Sequence, residues 1–272
     1  MPLVVVLAAV GAALGAALVR HAQGQVHTGA AAAHGATILR YDVHSRFVHR
    51  TLPQTAAIPP GGGVGRPLLV FLHGRGDHGN ESNSNDAFYA ALAAQGHRAP
   101  DVVFPNGGEH SYFHRRGSGD WTRYVLHEVI PQAVQRLHAD RRRIAIGGIS
   151  MGGFGAFDIA RLRPSEFCAV GGHSAAMWLR AGDTAPGAFD DAEDFTRNDV
   201  VAIARAGGRA PWGHARLWLD GGTDDPFRSA DEALARALDI PMRHWPGGHE
   251  GAYWRAHYAR YLRFYANALA SC

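Results

Sequence analysis

The segment from Arg143 to Phe154 constrains this chain more than any other. It reads Arg-Ile-Ala-Ile-Gly-Gly-Ile-Ser-Met-Gly-Gly-Phe. An apolar run with β character ends at Gly148-Ile149-Ser150-Met151-Gly152, and the small, helix-compatible residues Gly153 to Phe157 follow at once. A strand, a sharp turn and a helix are therefore expected in immediate succession. Such a turn holds a serine in a strained conformation, and small flanking residues let strand and helix pass close beside it. Ser150 is the candidate nucleophile. The Gly-x-Ser-x-Gly pattern alone is weak evidence in a chain with 34 glycines, so the strand before it and the helix after it carry the weight.

The surrounding sequence fits this turn into a larger pattern. Leu68 to Leu72 is a short continuous apolar run, as in a strand buried on both faces. A helix is expected near Ala87 to Gln95, a strand at Asp101 to Phe104, and a long loop from Pro105 to Asp120. Trp121 to His138 has helical spacing, with Val125, Val129, Ile130, Val134 and Leu137 on one face. Further strands are expected at Phe167 to Gly171, Ala215 to Leu219 and Pro241 to Trp245. Helices are expected at Asp199 to Ala206, Ser229 to Leu238 and Gly251 to Leu269, with an irregular excursion over Ala181 to Asn198. One or two edge strands are expected between Thr37 and Leu52. Strands alternating with helices imply an α/β domain with a mostly parallel central sheet and helices on both faces. No internal repeat is present, and 272 residues suit a single catalytic domain over 37–272.

Ahead of that domain, residues 1–36 read as an export segment with linker. Leu3 to Val19 is an unbroken run of Val, Leu, Ala and Gly, suited to the apolar part of a signal peptide, and Ala30 to Ala36 offers a cleavage region. The first positive charge, Arg20, lies after the run instead of before it. A secreted or periplasmic location is expected, with membrane-anchored and cytoplasmic locations as alternatives. The net charge is +3, and all 27 basic residues are arginine. The Arg141-Arg142-Arg143 run reads as a solvated connection, so no nucleic-acid partner is expected. Cys168 and Cys272 have no metal-ligand spacing, and with one in an apolar segment and the other on the last residue, they are expected to remain unpaired.

A serine hydroxyl is a poor nucleophile at neutral pH. It needs a base within hydrogen-bonding reach, and the base needs a carboxylate to orient it. When a serine sits on such a turn, the acid and then the base follow in chain order, each on a loop beyond a strand. Beyond the Ala215 to Leu219 strand comes Asp220-Gly221-Gly222-Thr223-Asp224-Asp225-Pro226-Phe227. Asp225 is favoured as the acid, with Asp224 and Asp220 as alternatives. Beyond the last strand, Pro246-Gly247-Gly248-His249-Glu250 places His249 on a glycine-rich loop as the base. The oxyanion formed on a substrate carbonyl needs backbone N–H donors. Met151, directly after the nucleophile, is one candidate; Arg75 in His73-Gly74-Arg75-Gly76 is the other, with Gly74 as alternative.

At this point the chain resembles a known family, the esterase D-like branch of the α/β hydrolases. The resemblance rests on Phe71-Leu72-His73-Gly74, on Gly119-Asp120-Trp121 with Tyr124-Val125 and Glu128-Val129-Ile130-Pro131, and on Gly147 to Ala156. It continues through Asp224-Asp225-Pro226-Phe227 and Gly248-His249 with Tyr253-Trp254. That family includes feruloyl and acetyl xylan esterases, S-formylglutathione hydrolases and mycolyltransferases. The resemblance implies an α/β-hydrolase fold, hydrolysis of carboxylic esters, and Asp225 over Asp224, because the family acid commonly precedes an x-Phe pair. The cysteine-bearing oxyanion loop of formylglutathione hydrolases is missing here, and nothing distinctive of mycolyltransferases is present.

The expected activity is thus that of a serine carboxylic-ester hydrolase acting on a small-molecule or polymer-linked ester. An acyltransferase using an alcohol or sugar acceptor is the alternative, and a non-catalytic binding domain a more distant one. His73, Tyr112, Trp121, Trp178 and Trp254 are candidate substrate-binding residues, since the loops at the elbow's end of the sheet should form the pocket. No cofactor and no metal are expected. The chain has no lysine for a phosphate-binding Gly-Lys-Ser/Thr loop, and the His110/His114 pair lacks a third ligand.

Overall fold

A computed structural model describes residues 26–27, 33–76 and 82–272. The Leu3 to Val19 run and the first part of the Ala30 to Ala36 segment lie outside the described residues. Eleven strands are present among those residues: β1 (Val26–His27), β2 (Thr37–Ser45), β3 (Arg50–Ile58), β4 (Leu68–Leu72), β5 (Asp101–Phe104), β6 (Arg115–Arg116), β7 (Gly119–Asp120), β8 (Ile144–Ile149), β9 (Ala169–His173), β10 (Arg216–Gly222) and β11 (Met242–Trp245). Nine of them form one sheet in the order β1-β2-β3-β5-β4-β8-β9-β10-β11, and β6 pairs with β7 as a separate ribbon inside the expected 105–120 loop. From β5 to β11 every neighbouring pair is parallel, while β1, β2 and β3 join antiparallel at one side.

The helices are α1 (Asp86–Ala93), α2, α3 (Met151–Arg161), α4 (Ala192–Arg197), α5 (Val200–Gly207), α6 (Arg228–Leu238) and α7 (Gly251–Ala270). Helix α2 is continuous through Trp121–Tyr124, a π-wound turn at Val125–Val129, and Ile130–Leu137. Alternation along the buried strands sends successive side chains to opposite faces. Leu68, Val70, Leu72, Ile144 and Ile146 join a core with α2, α3, α5 and α6. Leu69, Phe71, Val102 and Ala145 join another with α1 and α7, and Ala33 and Ala36 pack into it. The sheet is therefore covered on both sides.

Most expected elements occur within a residue or two of their sequence-derived limits. Strand β3 is an exception, running six residues past the expected limit at Leu52 to Ile58, while β9 is displaced by two residues, from Phe167–Gly171 to Ala169–His173. The residues missed, Gly172 and His173, read poorly as strand residues; Gly171 lies within the expected span, and a Cβ there would collide with the Tyr265 hydroxyl from α7, so only glycine lets that helix settle on the sheet. Strand β10 likewise extends past Leu219 to Gly222, which draws Asp220 into the sheet. The expectation for the cysteines also needs correction. Helix α7 crosses back under the sheet and brings Cys272 beside Cys168 at the start of β9, with a Cα separation of 5.8 Å, and the two form a disulfide. Such a separation is well suited to a bridge.

One buried charge carries a pH-dependent cost. Asp101, at the start of β5, is almost completely buried, and neither carboxyl oxygen has a hydrogen-bonding partner. Burial pushes its pKa up to about 7, against the opposing pull of Arg66. The folded state thus binds this proton more tightly than the unfolded chain does. The associated stability is complete below the ordinary carboxylate pKa and is lost as pH rises towards 7. Asp101→Asn is expected to gain stability over the native protein as pH rises from 4 to 8, by roughly 2–4 kcal/mol. Urea unfolding of both proteins at the two pH values measures this, and an equal difference at both would exclude it.

Candidate active site

The turn between β8 and α3 is as sharp as the sequence requires. Ser150 adopts φ 54° and ψ −115°, a region that costs a non-glycine residue about 1–3 kcal/mol. Three backbone hydrogen bonds hold it there. Its N–H donates to the His173 carbonyl at 3.1 Å, and its carbonyl accepts from Phe154 and Ala176 at 3.1 and 3.0 Å. Close packing explains the flanking glycine, since a Cβ at Gly152 would run into the Leu72 carbonyl at the end of β4.

The loops beyond β10 and β11 meet above this turn. Thr223 N–H donates to the Trp245 carbonyl, and Asp224 N–H to the Gly247 carbonyl, each at 3.0 Å, so the two loops are joined along their backbones. This brings Asp225 and His249 together. The Ser150 hydroxyl lies 2.8 Å from His249 Nε2, and His249 Nδ1 lies 3.0 Å from Asp225 Oδ2. The other carboxyl oxygen of Asp225 accepts from the Phe227 N–H at 2.9 Å. Burial alone would raise the Asp225 pKa, but the hydrogen bond and charge of His249, with the Phe227 N–H, outweigh it and hold the carboxyl below its ordinary value.

The three aspartates of this region take separate positions. Asp224 is exposed. Asp220 is fully buried on the α7 side, where it accepts from His173 Nδ1 at 2.7 Å, Trp218 Nε1 at 2.6 Å, Tyr261 at 2.9 Å and Tyr253 at 3.2 Å. The Asp220 carbonyl also receives the Ser174 N–H at 2.7 Å. A further carboxyl went unnoticed in the sequence because it lies within a helical pattern. Asp231 of α6 is fully buried, and a Cβ at Gly221 would lie 3.9 Å from an oxygen of Asp225 and of Asp231 alike. Burial, followed by the negative charges of Asp225 and Asp220, raises its pKa well above the usual carboxylate range. Burial and these neighbouring charges therefore disfavour the ionised form of Asp231, in contrast to Asp225.

The remaining candidates divide into two groups. Tyr112 and Trp178 pack ring to ring at 5.4 Å, Trp178 meets Phe227 at 5.4 Å, and Phe227 meets His249 at 4.9 Å; Trp254 stands edge-on to His249 at 5.2 Å. Phe227 and Trp254 thus flank His249 directly, and Trp178 and Tyr112 extend the aromatic series away from it through Phe227. His73 and Trp121 are instead engaged in loop packing. His73 Nε2 accepts from Gly107 N–H at 2.9 Å, and Trp121 Nε1 donates to Ser118 Oγ at 3.3 Å. Phe227 escaped notice as a pocket residue, although its place two residues after Asp225 was the available signal. A cleft of about 370 Å³ opens beside it, lined by Trp178, Leu179, Asp183, Ala185 and Pro226 among others.

For an oxyanion, the Met151 amide is the first of α3, and the first N–H groups of a helix have no carbonyl within that helix. Arg75 follows the end of β4, whose Leu72 is in register with Gly148 of the elbow strand. Burial raises the Tyr112 pKa, and the Arg75 guanidinium opposes that rise. Among the described residues, no group of three or more His, Cys, Asp or Glu side chains is arranged to hold a metal ion, and no helix is long and apolar enough to cross a membrane. His114 is buried against the Ala188 carbonyl and Asn198.

The strand order and the serine elbow together define an α/β hydrolase. Residues 48–265 match the family model described as "Putative esterase", so the chain belongs to that esterase family and is a carboxylic ester hydrolase. Among solved structures, a ferulic acid esterase superposes with TM-score 0.74 at 21% identity, covering 86% of this chain and 98% of its own. An S-formylglutathione hydrolase from Agrobacterium tumefaciens gives TM-score 0.71 at 18% identity, covering 86% of this chain and 96% of its own. A fluorophosphonate-binding serine hydrolase from Staphylococcus aureus gives 0.64 at 18%, covering 85% and 99%. At these identities the likeness is one of fold. No curated protein matches the sequence.

Proposed function

We propose that the protein is a serine esterase that works through an acyl-enzyme, with Ser150 as nucleophile, His249 as general base and acid, and Asp225 orienting the histidine. The hydrogen-bonded series from Ser150 Oγ through His249 to Asp225, at 2.8 and 3.0 Å, carries this reading. Asp225 accepts the proton on His249 Nδ1, which leaves Nε2 free to take the Ser150 proton as Oγ attacks the ester carbonyl carbon. The Met151 and Arg75 amides would receive the negative oxygen of the tetrahedral intermediate. On collapse, His249 returns the proton to the departing alcohol. Water, deprotonated by His249, then attacks the acyl-enzyme, and the carboxylic acid leaves with Ser150 restored.

The aromatic cleft beside Phe227 and Trp178 suits an apolar group of the ester, in a small-molecule or polymer-linked substrate. An exported, secreted or periplasmic enzyme is supported by the amino-terminal apolar run and by the Cys168–Cys272 bridge, since disulfides persist in oxidising compartments. A fluorophosphonate probe is expected to label the native protein on Ser150, as read by peptide mass mapping. Labelling at another serine, or none in folded protein, would exclude the mechanism.

A further inference from the structure

Away from Ser150 the molecule has another concave surface. A groove of about 510 Å³ opens at the β10–β11 edge beside α7, and Arg209, Arg216, Arg243, Arg260 and Arg263 line it with Trp218. Asn267 adds a neutral amide, and no carboxylate is among the lining residues. Five of the chain's 27 arginines therefore face one groove. Elsewhere several arginines have acidic partners, as in Arg116–Asp190, Arg197–Glu193 and Arg228–Glu232. Among the described residues, no ion pair within 4.0 Å includes any of the five.

Two of these guanidinium groups are held in place by aromatic rings. Arg243 sits 3.8 Å from the Trp218 ring centre, and Arg260 5.0 Å from that of Trp245. Trp218 is itself anchored through its indole N–H to Asp220. Arg209 donates to the Ala215 carbonyl at 3.1 Å. Partial burial lowers the Arg243 pKa, with Asp220 opposing. Asp220 acts on Arg243 from beneath but is fully buried, does not line the groove and already accepts from four donors, so it leaves the other four arginines without a facing carboxylate. Like charges gathered without a counterion repel one another, and a bound anion removes that cost. Planar guanidinium groups also match oxyanions in two-point hydrogen bonds.

The groove is separate from the proposed catalytic centre. Arg216 begins β10, whereas Asp225 lies beyond its other end, and at about 3.3 Å per residue the strand alone spans roughly 20 Å. Among the described residues the exposed large apolar side chains are Val64, Leu162 and Leu179, none of which lines the groove, and its own apolar lining residues Leu217, Ile240 and Phe264 are buried or half-buried, so no apolar side chain projects there to enter a lipid surface. We propose that this groove binds a multiply charged oxyanion, a soluble ligand carrying two or more phosphate or carboxylate groups.

The test is calorimetric titration of the full chain with tripolyphosphate and, separately, citrate, at low and at moderate salt. At least one probe is expected to bind the native protein, with affinity falling as salt is added. An Arg260→Glu/Arg263→Glu variant is expected to bind about tenfold or more weakly, with unchanged melting temperature and p-nitrophenyl acetate turnover. An Arg50→Glu/Arg205→Glu variant, with the same net charge and exposed positions outside the groove, is expected to bind as the native protein does. Failure of both probes to bind the native protein would overturn the proposal. So would equal affinity in the groove variant, or equal loss in the control variant.

Discussion

Ser150→Ala is expected to lower kcat/KM for p-nitrophenyl acetate by about ten-thousand-fold or more, while the protein stays folded. The size follows from losing the covalent route altogether: what remains is binding and whatever oxyanion stabilisation the loop amides supply to direct attack by water. Alanine removes only Oγ, and the three backbone hydrogen bonds that hold residue 150 in its unusual conformation do not involve that atom. The same backbone strain remains, so thermal unfolding should change little. Measuring turnover and melting on one preparation separates chemistry from folding. Turnover near the native level in the folded variant would remove Ser150 from the mechanism, and the acyl-enzyme with it.

Asp225→Asn is expected to cost about ten-thousand-fold in kcat, for a different reason. The carboxylate accepts a hydrogen bond from His249 Nδ1, whereas an asparagine amide can donate one. It would favour the tautomer with the proton on Nε2, the nitrogen that must accept from Ser150 at 2.8 Å. Asp224→Asn is the control, and its activity is expected to stay close to native because that side chain is exposed. Loss of activity in Asp224→Asn with retention in Asp225→Asn would reverse the assignment. The native carboxyl titrates below its ordinary value, so it stays ionised through mildly acidic solution. Its contribution to stability is present above the ordinary carboxylate pKa and is lost as pH falls through the lowered one.

Local sequence specified much of this arrangement. Leu68–Leu72 and Asp101–Phe104 are uninterrupted apolar or β-type runs bounded by breakers, and both occur within the expected limits. The hydrogen-bonded grouping of Ser150, Asp225 and His249 could be anticipated because chain order and position after a strand reduce 17 histidines and several aspartates to a few. What escaped depends on distant partners. His173 and Asp220 read as a strand end and a turn residue, but together with Tyr253, Tyr261 and Tyr265 they form a buried polar network between sheet and α7. Asp231 has helical spacing and an acidic side chain, which by themselves suggest a solvated face. His73 and Trp121 occupy suitable loops, yet the direction of their side chains is set by Gly107 and Ser118.

The Cys168–Cys272 bridge spans 104 positions in sequence and encloses β9, β10, β11, Asp225 and His249. It also attaches the end of α7 to the strand that α7 covers. The closing helix therefore cannot peel away from its free end, and its Tyr253 and Tyr261 remain beside Asp220 unless separation starts at the His249 loop. A protease that cuts the chain once between Cys168 and His249 would leave both pieces covalently joined, with serine on one and histidine on the other, still tethered for reassembly.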